Sequence, residues 1–172
     1  MTRRIFGVAG WKNSGKTTLT CRLVAEFTRR GFAVGTVKHA HHLFDIDREG
    51  TDSHRHRQAG ARDVAIVSGR RWAVMHELGE ASEPSLDAVL AQLGACDLVL
   101  IEGYKRESHP KIEVRRLAAG DRAPLPDTHG SICAIAADHP VADARIPVFA
   151  LDDIGGIADM IARTTGLGGT AA

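Results

Sequence analysis

The chain contains 172 residues, of which 44% are hydrophobic and 25% are charged, and its formal net charge at pH 7 is +1. This length suits one domain with a substantial core, and the near-zero charge gives no electrostatic reason to propose nucleic acid or a membrane surface as the main partner. The apolar runs are too short to span a membrane, and the N-terminal run lacks the cleavage pattern of a signal peptide, so we expect a cytoplasmic protein.

The chain begins with an apolar run, a glycine-rich loop and a helical pattern. Residues 5–9 predict a strand, and residues 10–17 match the P-loop (Walker A) pattern G-x-x-x-x-G-K-[ST]. Apolar side chains then recur at helical spacing, which predicts a helix from about Lys16 to Arg30. The motif therefore occurs in the strand-to-helix context that phosphate binding requires.

The P-loop pattern assigns chemical roles to several of its residues. Its glycines allow successive backbone N–H groups to face a phosphate chain, and the positive end of the helix dipole adds to that field. Lys16 would reach the terminal phosphates, and the Thr17 hydroxyl would bind Mg²⁺. We expect nucleotide contacts from Gly10, Trp11, Lys12, Asn13, Ser14, Gly15, Lys16, Thr17 and Thr18.

The next segment indicates a parallel sheet with helices packed against it. Residues 32–37 form a predicted strand, which completes a β–α–β unit. From Lys38 to Asp52 the sequence is polar and aperiodic, which predicts a loop at the edge of the sheet where doubly wound folds bind ligands. A short helix is expected from Ser53 to Ala59, with Asp52 as its N-cap.

The middle of the chain combines a predicted hairpin with a buried strand. Residues 64–67 and 72–75 have strand-like composition and predict an antiparallel pair. A helix is expected from Pro84 to Leu93. Residues 98–101 are large and apolar, as in central parallel strands, and Glu102 ends this run at the ligand-binding edge.

The remaining predicted elements are an edge strand at 111–114, strands at 132–138 and 146–149, and a closing helix that includes 154–161. We expect residues 1–165 to form a single three-layer α/β domain, with a mostly parallel sheet and an antiparallel extension. Residues 166–172 are rich in glycine and are expected to form a flexible tail.

A carboxylate is expected beside the P-loop, because the Mg²⁺ shell needs oxygen ligands that the loop alone does not orient. Glu102 is the best candidate, and the alternative is a surface acid at a strand end. A second carboxylate is expected from the acidic loop 45–52, and we assign it to Asp47. The predicted metal ligands are therefore Thr17, Glu102 and Asp47.

Lys38 begins a segment rich in lysine, arginine and histidine that continues to Arg57. A cationic lining for phosphate groups suits the neighbouring P-loop, so we assign Lys38 to the nucleotide. The histidines also allow a metal site, although they lack the H-E-x-x-H or Cys/His spacing that makes a zinc assignment strong. Solvated polar side chains are the third interpretation.

Asp138 follows an apolar predicted strand. It either accepts hydrogen bonds from a purine base or simply ends its strand. The N-K-x-D tetrapeptide that reads guanine in Ras-like GTPases is absent, so local chemistry does not identify the base.

The P-loop and several later segments are more informative in combination than the P-loop alone. They are residues 10–19, 37–39, 44–47, 52–61 and 98–105, in this order along the chain. Together they resemble the MobB family, the molybdopterin-guanine dinucleotide biosynthesis adapter proteins. The resemblance covers most of the first 115 residues and continues more weakly to Asp138.

The resemblance implies a P-loop NTPase fold, a homodimer, and GTP and Mg²⁺ as cofactors with at most slow hydrolysis. It also implies partnership with the MobA-like guanylyltransferase that attaches GMP to molybdopterin. Under this interpretation, residues 10–18 contact the phosphates, Glu102 lies near the magnesium, and residues 45–57 lie near the site.

Two other functions remain compatible with the residues. A small-molecule P-loop kinase would need an acceptor pocket, a base for the acceptor hydroxyl and an arginine-bearing lid. Arg55, Arg57 and Arg106 are possible lid residues, although no segment is typical of a dedicated lid. A GTPase that delivers metal to an enzyme would use the histidines.

Overall fold

The computed structural model describes residues 3–40, 44–127, 129–142 and 144–168. Its elements, in chain order, are β1 (Ile5–Gly10), α1 (Lys16–Arg29), β2 (Val34–Lys38), α2 (Asp52–Gln58), β3 (Asp63–Val67), β4 (Trp72–His76), α3 (Leu86–Ala91), β5 (Leu98–Glu102), β6 (Lys111–Arg115), β7 (Ile132–Ala137), β8 (Val148–Ala150) and α4 (Ile154–Thr165).

The larger sheet has β1 near its centre. Its strand order is β2-β5-β1-β6-β7-β8, and every neighbouring pair is parallel. Every residue of β5 is buried, which explains why this strand has a continuous apolar run. The predicted α/β fold with a mostly parallel sheet is confirmed.

The hydrophobic core lies between this sheet and the helices α1 and α4. In α1 the side chains of Leu19, Leu23 and Phe27 are buried, and their spacing of four residues places them on one helical face. They pack in one cluster with Phe6 of β1 and Ile161 of α4. This packing fixes the start of α1, and with it the P-loop, against the end of β1.

The prediction that residues 111–114 form an edge strand is wrong. β6 lies between β1 and β7 in the sheet, so both of its edges are paired. The alternation that suggested an exposed edge comes from Lys111 and Glu113, which are 0% and 2% exposed. Lys111 donates to Ser131 Oγ at 2.7 Å, and Glu113 accepts from Arg115 at 2.7 Å. Because these charged groups have partners, polar residues occupy an interior strand.

The hairpin of β3 and β4 is antiparallel, as predicted. It forms a two-stranded sheet of its own, however, so the expected extension of the larger sheet is wrong. The periodicity of a strand identifies which residues alternate, but it does not identify the sheet that the strand joins.

The chain divides into two compact units, Met1–His39 with Leu90–Ala172, and Ala40–Val89. The six-stranded sheet, α1 and α4 belong to the first unit, and α2 and the hairpin belong to the second. A single domain over residues 1–165 stays a prediction, because compactness alone does not decide whether the two units fold separately. Of the expected tail 166–172, residues 169–172 lie outside the described part.

The boundaries of α2 and α3 differ from the predictions. The N-cap of α2 is Thr51, whose side chain accepts the His54 N–H, whereas the predicted cap Asp52 is the first helical residue. α3 covers only Leu86–Ala91, which is shorter than predicted. α4 covers Ile154–Thr165 and includes the predicted stretch 154–161. Within the described ranges, no helix has the length and apolarity needed to cross a bilayer.

Candidate functional site

The candidate site lies where β2, β5 and β1 end together. β5 runs between the other two strands, and its last residue, Glu102, pairs in register with Lys38 of β2 and Val8 of β1. Because parallel strands end on the same edge, this register brings the carboxylate, the ammonium and the loop after β1 to one place.

The P-loop begins with a close backbone approach at Gly10. A Cβ at this position would lie 2.5 Å from Ser14 Oγ and 2.6 Å from the carbonyl oxygen of Val114 in β6. Only glycine leaves room for the loop to turn over the neighbouring strand in this way. Within the described residues, the buried Ser14 Oγ has no hydrogen-bond partner.

Lys16 is the first residue of α1, and its side chain folds back over the loop. Its Nζ donates a hydrogen bond to the Trp11 carbonyl oxygen at 2.6 Å. Burial lowers the pKa of the Lys16 ammonium, and the nearby charge of Lys105 lowers it further. A lysine in such a position gains from an anion, since an anion supplies the negative charge that the surroundings lack.

Thr17 and Glu102 meet as the sequence predicts. The Thr17 hydroxyl donates to Glu102 Oε1 at 2.7 Å, and Lys38 Nζ lies 3.6 Å from the same oxygen. Glu102 is 8% exposed, so the strand holds its carboxylate at the base of the loop. A hydroxyl and a carboxylate side by side are the oxygen ligands that Mg²⁺ prefers beside a phosphate chain, and these two residues fit that role.

A family model described as "MobB: Molybdopterin guanine dinucleotide synthesis protein B" matches residues 5–138. The chain belongs to the MobB family. It is 33% identical over 159 residues to the molybdopterin-guanine dinucleotide biosynthesis adapter protein of Escherichia coli, covering 91% of this chain and 90% of that protein. The protein of the same name from Haemophilus influenzae is 36% identical over 159 residues, covering 91% and 86%.

A solved structure supports the same fold. The crystal structure of a MobB protein homolog from Bacillus stearothermophilus superposes with a TM-score of 0.71 at 31% sequence identity. The match covers 93% of this chain and 99% of that one. The expected P-loop NTPase fold is therefore confirmed for this MobB protein.

One contact of the MobB site has no counterpart in the P-loop pattern. The Trp11 indole Nε1 donates to the Ala123 carbonyl oxygen at 2.6 Å, and Lys105 Nζ lies 4.1 Å from the centroid of the Trp11 rings. From the sequence, the position of Lys105 directly after Glu102 and Gly103 indicates only that its side chain could reach a phosphate or a partner subunit. The contact of Lys105 with Trp11 depends on the turn that follows Glu102, and the sequence pattern does not specify that turn.

Other predicted nucleotide contacts divide into two groups. Lys12, Asn13 and Thr18 are exposed on the loop and the first turn of α1, where a ligand has access to them.

Asp138 is already engaged by its own chain. It accepts the Leu117 N–H at 2.9 Å and lies 2.9 Å from the Nδ1 atom of His139. The hydrogen bond with His139 is the main cause that lowers the pKa of Asp138. Contact of Asp138 with a base stays a prediction.

Asp47, the second expected metal ligand, belongs to the unit Ala40–Val89. Its side chain is 4% exposed and accepts hydrogen bonds from Ser53 at 2.8 Å and Thr51 at 3.2 Å. Burial by itself would raise the pKa of Asp47, but these hydrogen bonds outweigh it and lower the pKa. The carboxylate therefore stabilises the start of α2, and a metal-ligand role for Asp47 stays a prediction.

Arg57 organises this second unit, and sequence reasoning did not single out its role. Its guanidinium contacts Glu77 at 2.6 Å, Asp45 at 2.9 Å and Asp47 at 3.5 Å. The Glu77 and Asp45 hydrogen bonds raise the pKa of Arg57 further above its ordinary value. A guanidinium with three carboxylate partners is suited to hold a loop in place.

The histidine-rich segment gives no metal cluster in the part that the structure describes. Among those residues, no group of three or more histidine, cysteine, aspartate or glutamate side chains has the geometry to hold a metal ion. His41 and His42, which were part of the predicted cationic segment, lie outside the described residues.

Proposed function

We propose that this protein is a GTP-binding adapter of molybdopterin-guanine dinucleotide biosynthesis, which binds GTP and Mg²⁺ on its P-loop and assists a MobA-like guanylyltransferase. The observation that carries the proposal is the 2.7 Å contact between Thr17 and Glu102 at the base of a P-loop, in a chain of the MobB family. The expected biological setting is the cytoplasm.

Phosphate binding is supported by the charges at the loop. The ammonium groups of Lys16 and Lys38 and the first N–H groups of α1 all occur at the edge where the P-loop ends. Helix N-termini and lysines together form an anion site, because both present positive charge without needing to reorganise. The triphosphate is the polyanion that such a site would bind.

Magnesium binding is supported by the oxygen pair of Thr17 and Glu102. The Thr17 hydroxyl and the Glu102 carboxylate would hold Mg²⁺, which would neutralise part of the charge of the triphosphate. With the metal present, the carboxylate would offset part of the charge that Mg²⁺ brings. We expect slow hydrolysis, because the Glu102 carboxylate is engaged by Thr17 and Lys38 and is poorly placed to orient an attacking water.

The choice of guanine and of the pathway is supported by the relatives. Those from Escherichia coli and Haemophilus influenzae carry the name molybdopterin-guanine dinucleotide biosynthesis adapter protein, and each match covers 91% of this chain. An adapter acts by presenting a surface to a second protein, so weak turnover is consistent with the role.

Calorimetric titration with GTP and with ATP, each with Mg²⁺, tests the nucleotide proposal. We expect tight binding of GTP and weaker binding of ATP. Lys16→Ala is expected to abolish measurable triphosphate binding while the circular dichroism spectrum stays unchanged. Normal binding of ATP without binding of GTP would contradict the guanine assignment, and undiminished affinity of Lys16→Ala would contradict the P-loop site.

Co-purification tests the adapter role separately. A tagged guanylyltransferase of the MobA type is expected to retain this protein in the presence of GTP and Mg²⁺. The Lys16→Ala variant serves as the matched control, because it has the same surface except for the nucleotide lysine. Failure to retain the wild-type protein under any nucleotide condition would contradict the partnership.

A homodimer is supported by the exposed face of the hairpin. Val67 and Trp72 are a cross-strand pair, so their side chains lie on the same face of the two-stranded sheet. They are 75% and 68% exposed. The hairpin contacts α2 through β3. An exposed apolar face on such a two-stranded sheet is typical of a surface that another chain covers, because a two-stranded sheet gains little stability on its own.

A further inference from the structure

A strained turn brings Lys105 to the P-loop. Gly103 and Tyr104 follow Glu102 with φ angles of +99° and +45°. A side chain on Tyr104 makes that conformation costly, and such outliers concentrate where a site requires a particular direction of the chain. The turn takes the backbone off the strand direction and places the Lys105 ammonium over the Trp11 rings, 4.1 Å from their centroid.

Trp11 is held on three sides in this arrangement. Its indole N–H donates to the Ala123 carbonyl oxygen at 2.6 Å, which fixes the plane of the rings. Its own carbonyl oxygen accepts Lys16 Nζ at 2.6 Å. One residue of the P-loop therefore receives two ammonium groups, Lys16 on its backbone and Lys105 on its aromatic face. A cation over an indole face is attracted by the ring electrons, and more strongly when it is partly desolvated.

Positive charge predominates around Lys16. The charges of Lys105 and Lys38 both lower the pKa of Lys16, and the Glu102 carboxylate that contacts Thr17 opposes them. Among the described residues, Lys105 Nζ has no hydrogen-bond acceptor. It contacts the face of Trp11, and the charge of the Asp121 carboxylate acts on it from a longer distance. Burial lowers the pKa of Lys105. An ammonium that is partly buried and lacks an acceptor is favourably placed to bind an anion.

We propose that Lys105 is a phosphate-contacting residue of the site, and that its ammonium, aligned by the Trp11 rings, binds the terminal phosphate of the nucleoside triphosphate. This inference rests on the proposed nucleotide function. Lys16 reaches the phosphates from α1, whereas Lys105 approaches from the turn after Glu102, the expected magnesium ligand. The metal and the terminal phosphate are neighbours in P-loop sites, so a residue on this turn discriminates the triphosphate from the diphosphate.

The test compares the affinities for GTP and GDP, both with Mg²⁺, by calorimetry. Lys105→Gln is expected to weaken GTP binding about ten- to a hundredfold, the loss typical of one charged hydrogen bond, and GDP binding by less than about threefold. Lys105→Arg is expected to retain most of the GTP affinity. Arg106→Gln is the matched control, since it removes one positive charge from the adjacent exposed residue, and it should change both affinities by less than about threefold.

Each outcome has one meaning. Equal weakening of GTP and GDP by Lys105→Gln would mean that the cation–π contact only supports the loop, and the proposal would be overturned. Unchanged GTP affinity would overturn it too. If the wild-type protein binds neither nucleotide, the proposed function itself fails.

A second variant keeps the test open if Lys105→Gln does not fold. Trp11→Leu leaves the lysine in place and removes the rings that align it, so the ratio of GTP to GDP affinity is expected to fall. An unchanged ratio would contradict alignment by Trp11. The chain contains two tryptophans, so Trp11 becomes the only one in a Trp72→Phe background. There, GTP is expected to change the Trp11 emission more than GDP does, and an identical response to both would count against a terminal-phosphate contact.

Discussion

At the residue scale, Gly10 is the position where the P-loop depends most directly on the absence of a side chain. Gly10→Ala places a methyl group 2.5 Å from Ser14 Oγ and 2.6 Å from a carbonyl oxygen of the central strand β6. The backbone must move, so we expect the free energy of unfolding to fall by about 1–3 kcal/mol and GTP affinity to fall at least about tenfold. Urea denaturation and calorimetry measure the two effects.

The matched control for this change is Gly120→Ala. Gly120 is exposed, and a Cβ there would meet no heavy atom within 4 Å. The free energy of unfolding of Gly120→Ala should differ from the wild-type value by no more than about 0.5 kcal/mol, and its GTP affinity should equal that of the wild type. If the two variants behave alike, the close approach at Gly10 does not matter for the site.

The buried side chain of His109 makes the stability of the protein depend on pH. It is 7% exposed, and within the described residues neither of its ring nitrogens has a hydrogen-bond partner. Burial, with a smaller effect of the Lys111 charge, lowers the pKa of His109 to about 4. The unfolded chain has the ordinary value of about 6.5, so between these two values only the unfolded chain binds the proton.

Stability is therefore fully present above about pH 6.5 and is lost as the pH falls towards 4. At pH 5 this one residue should lower the free energy of unfolding by about 2 kcal/mol relative to pH 8. Urea denaturation at both pH values measures the difference. Between pH 8 and pH 5, the free energy of unfolding of His109→Leu should fall by about 2 kcal/mol less than that of the wild type. The variant of an exposed histidine, His56→Gln, should lose as much stability as the wild type. Parallel pH profiles for wild type and His109→Leu would refute the assignment.

At the element scale, the start of α4 offers a direct comparison of two neighbouring carboxylates. Asp153 is the N-cap, and its Oδ1 accepts the Gly156 N–H at 3.0 Å. Asp152 precedes it and is also exposed, and its backbone carbonyl oxygen accepts the Ile154 N–H at 2.8 Å. Asp153→Ala is expected to lower the free energy of unfolding by about 1 kcal/mol, because a helix N–H loses its acceptor.

Asp152→Ala removes the same charge and should cost less than half as much, because only its interaction with the helix dipole changes. Thermal and urea denaturation of the two variants provide the measurement. Equal losses would mean that charge rather than capping stabilises the start of α4.

At the level of individual elements, part of the fold and of the site could be predicted from the sequence. The P-loop, Lys38 and Glu102 were predictable, because a motif fixed the loop and parallel strands end at one edge. β6 was assigned wrongly because buried partners of Lys111 and Glu113 cannot be seen in a periodicity. The contact of Lys105 with Trp11 depends on the positive φ of Tyr104, and a tyrosine in the sequence does not predict that conformation.

At the scale of the whole molecule, the hairpin and the P-loop belong to different compact units, so assembly and nucleotide binding can be separated by substitution. The described contacts of the candidate site, from Lys16 to Glu102, lie in the unit Met1–His39 with Leu90–Ala172. A change on the exposed face of the hairpin should therefore leave GTP affinity within about threefold of the wild type.

The proposed homodimer gives the last prediction. Val67 and Trp72 present a largely exposed apolar pair on one hairpin face, and charges placed there would have to be desolvated in an interface. We expect the wild-type protein to sediment at about twice its chain mass of 18.4 kDa, and the double variant Val67→Lys, Trp72→Lys to sediment as a monomer that still binds GTP. Leu117→Lys, at a position 48% exposed in the other unit, is the matched control and should remain dimeric. A wild-type monomer, or a dimer that survives the double substitution, would exclude this face as the interface. A double variant that is monomeric and has lost GTP binding would instead show that the nucleotide site is completed only in the dimer.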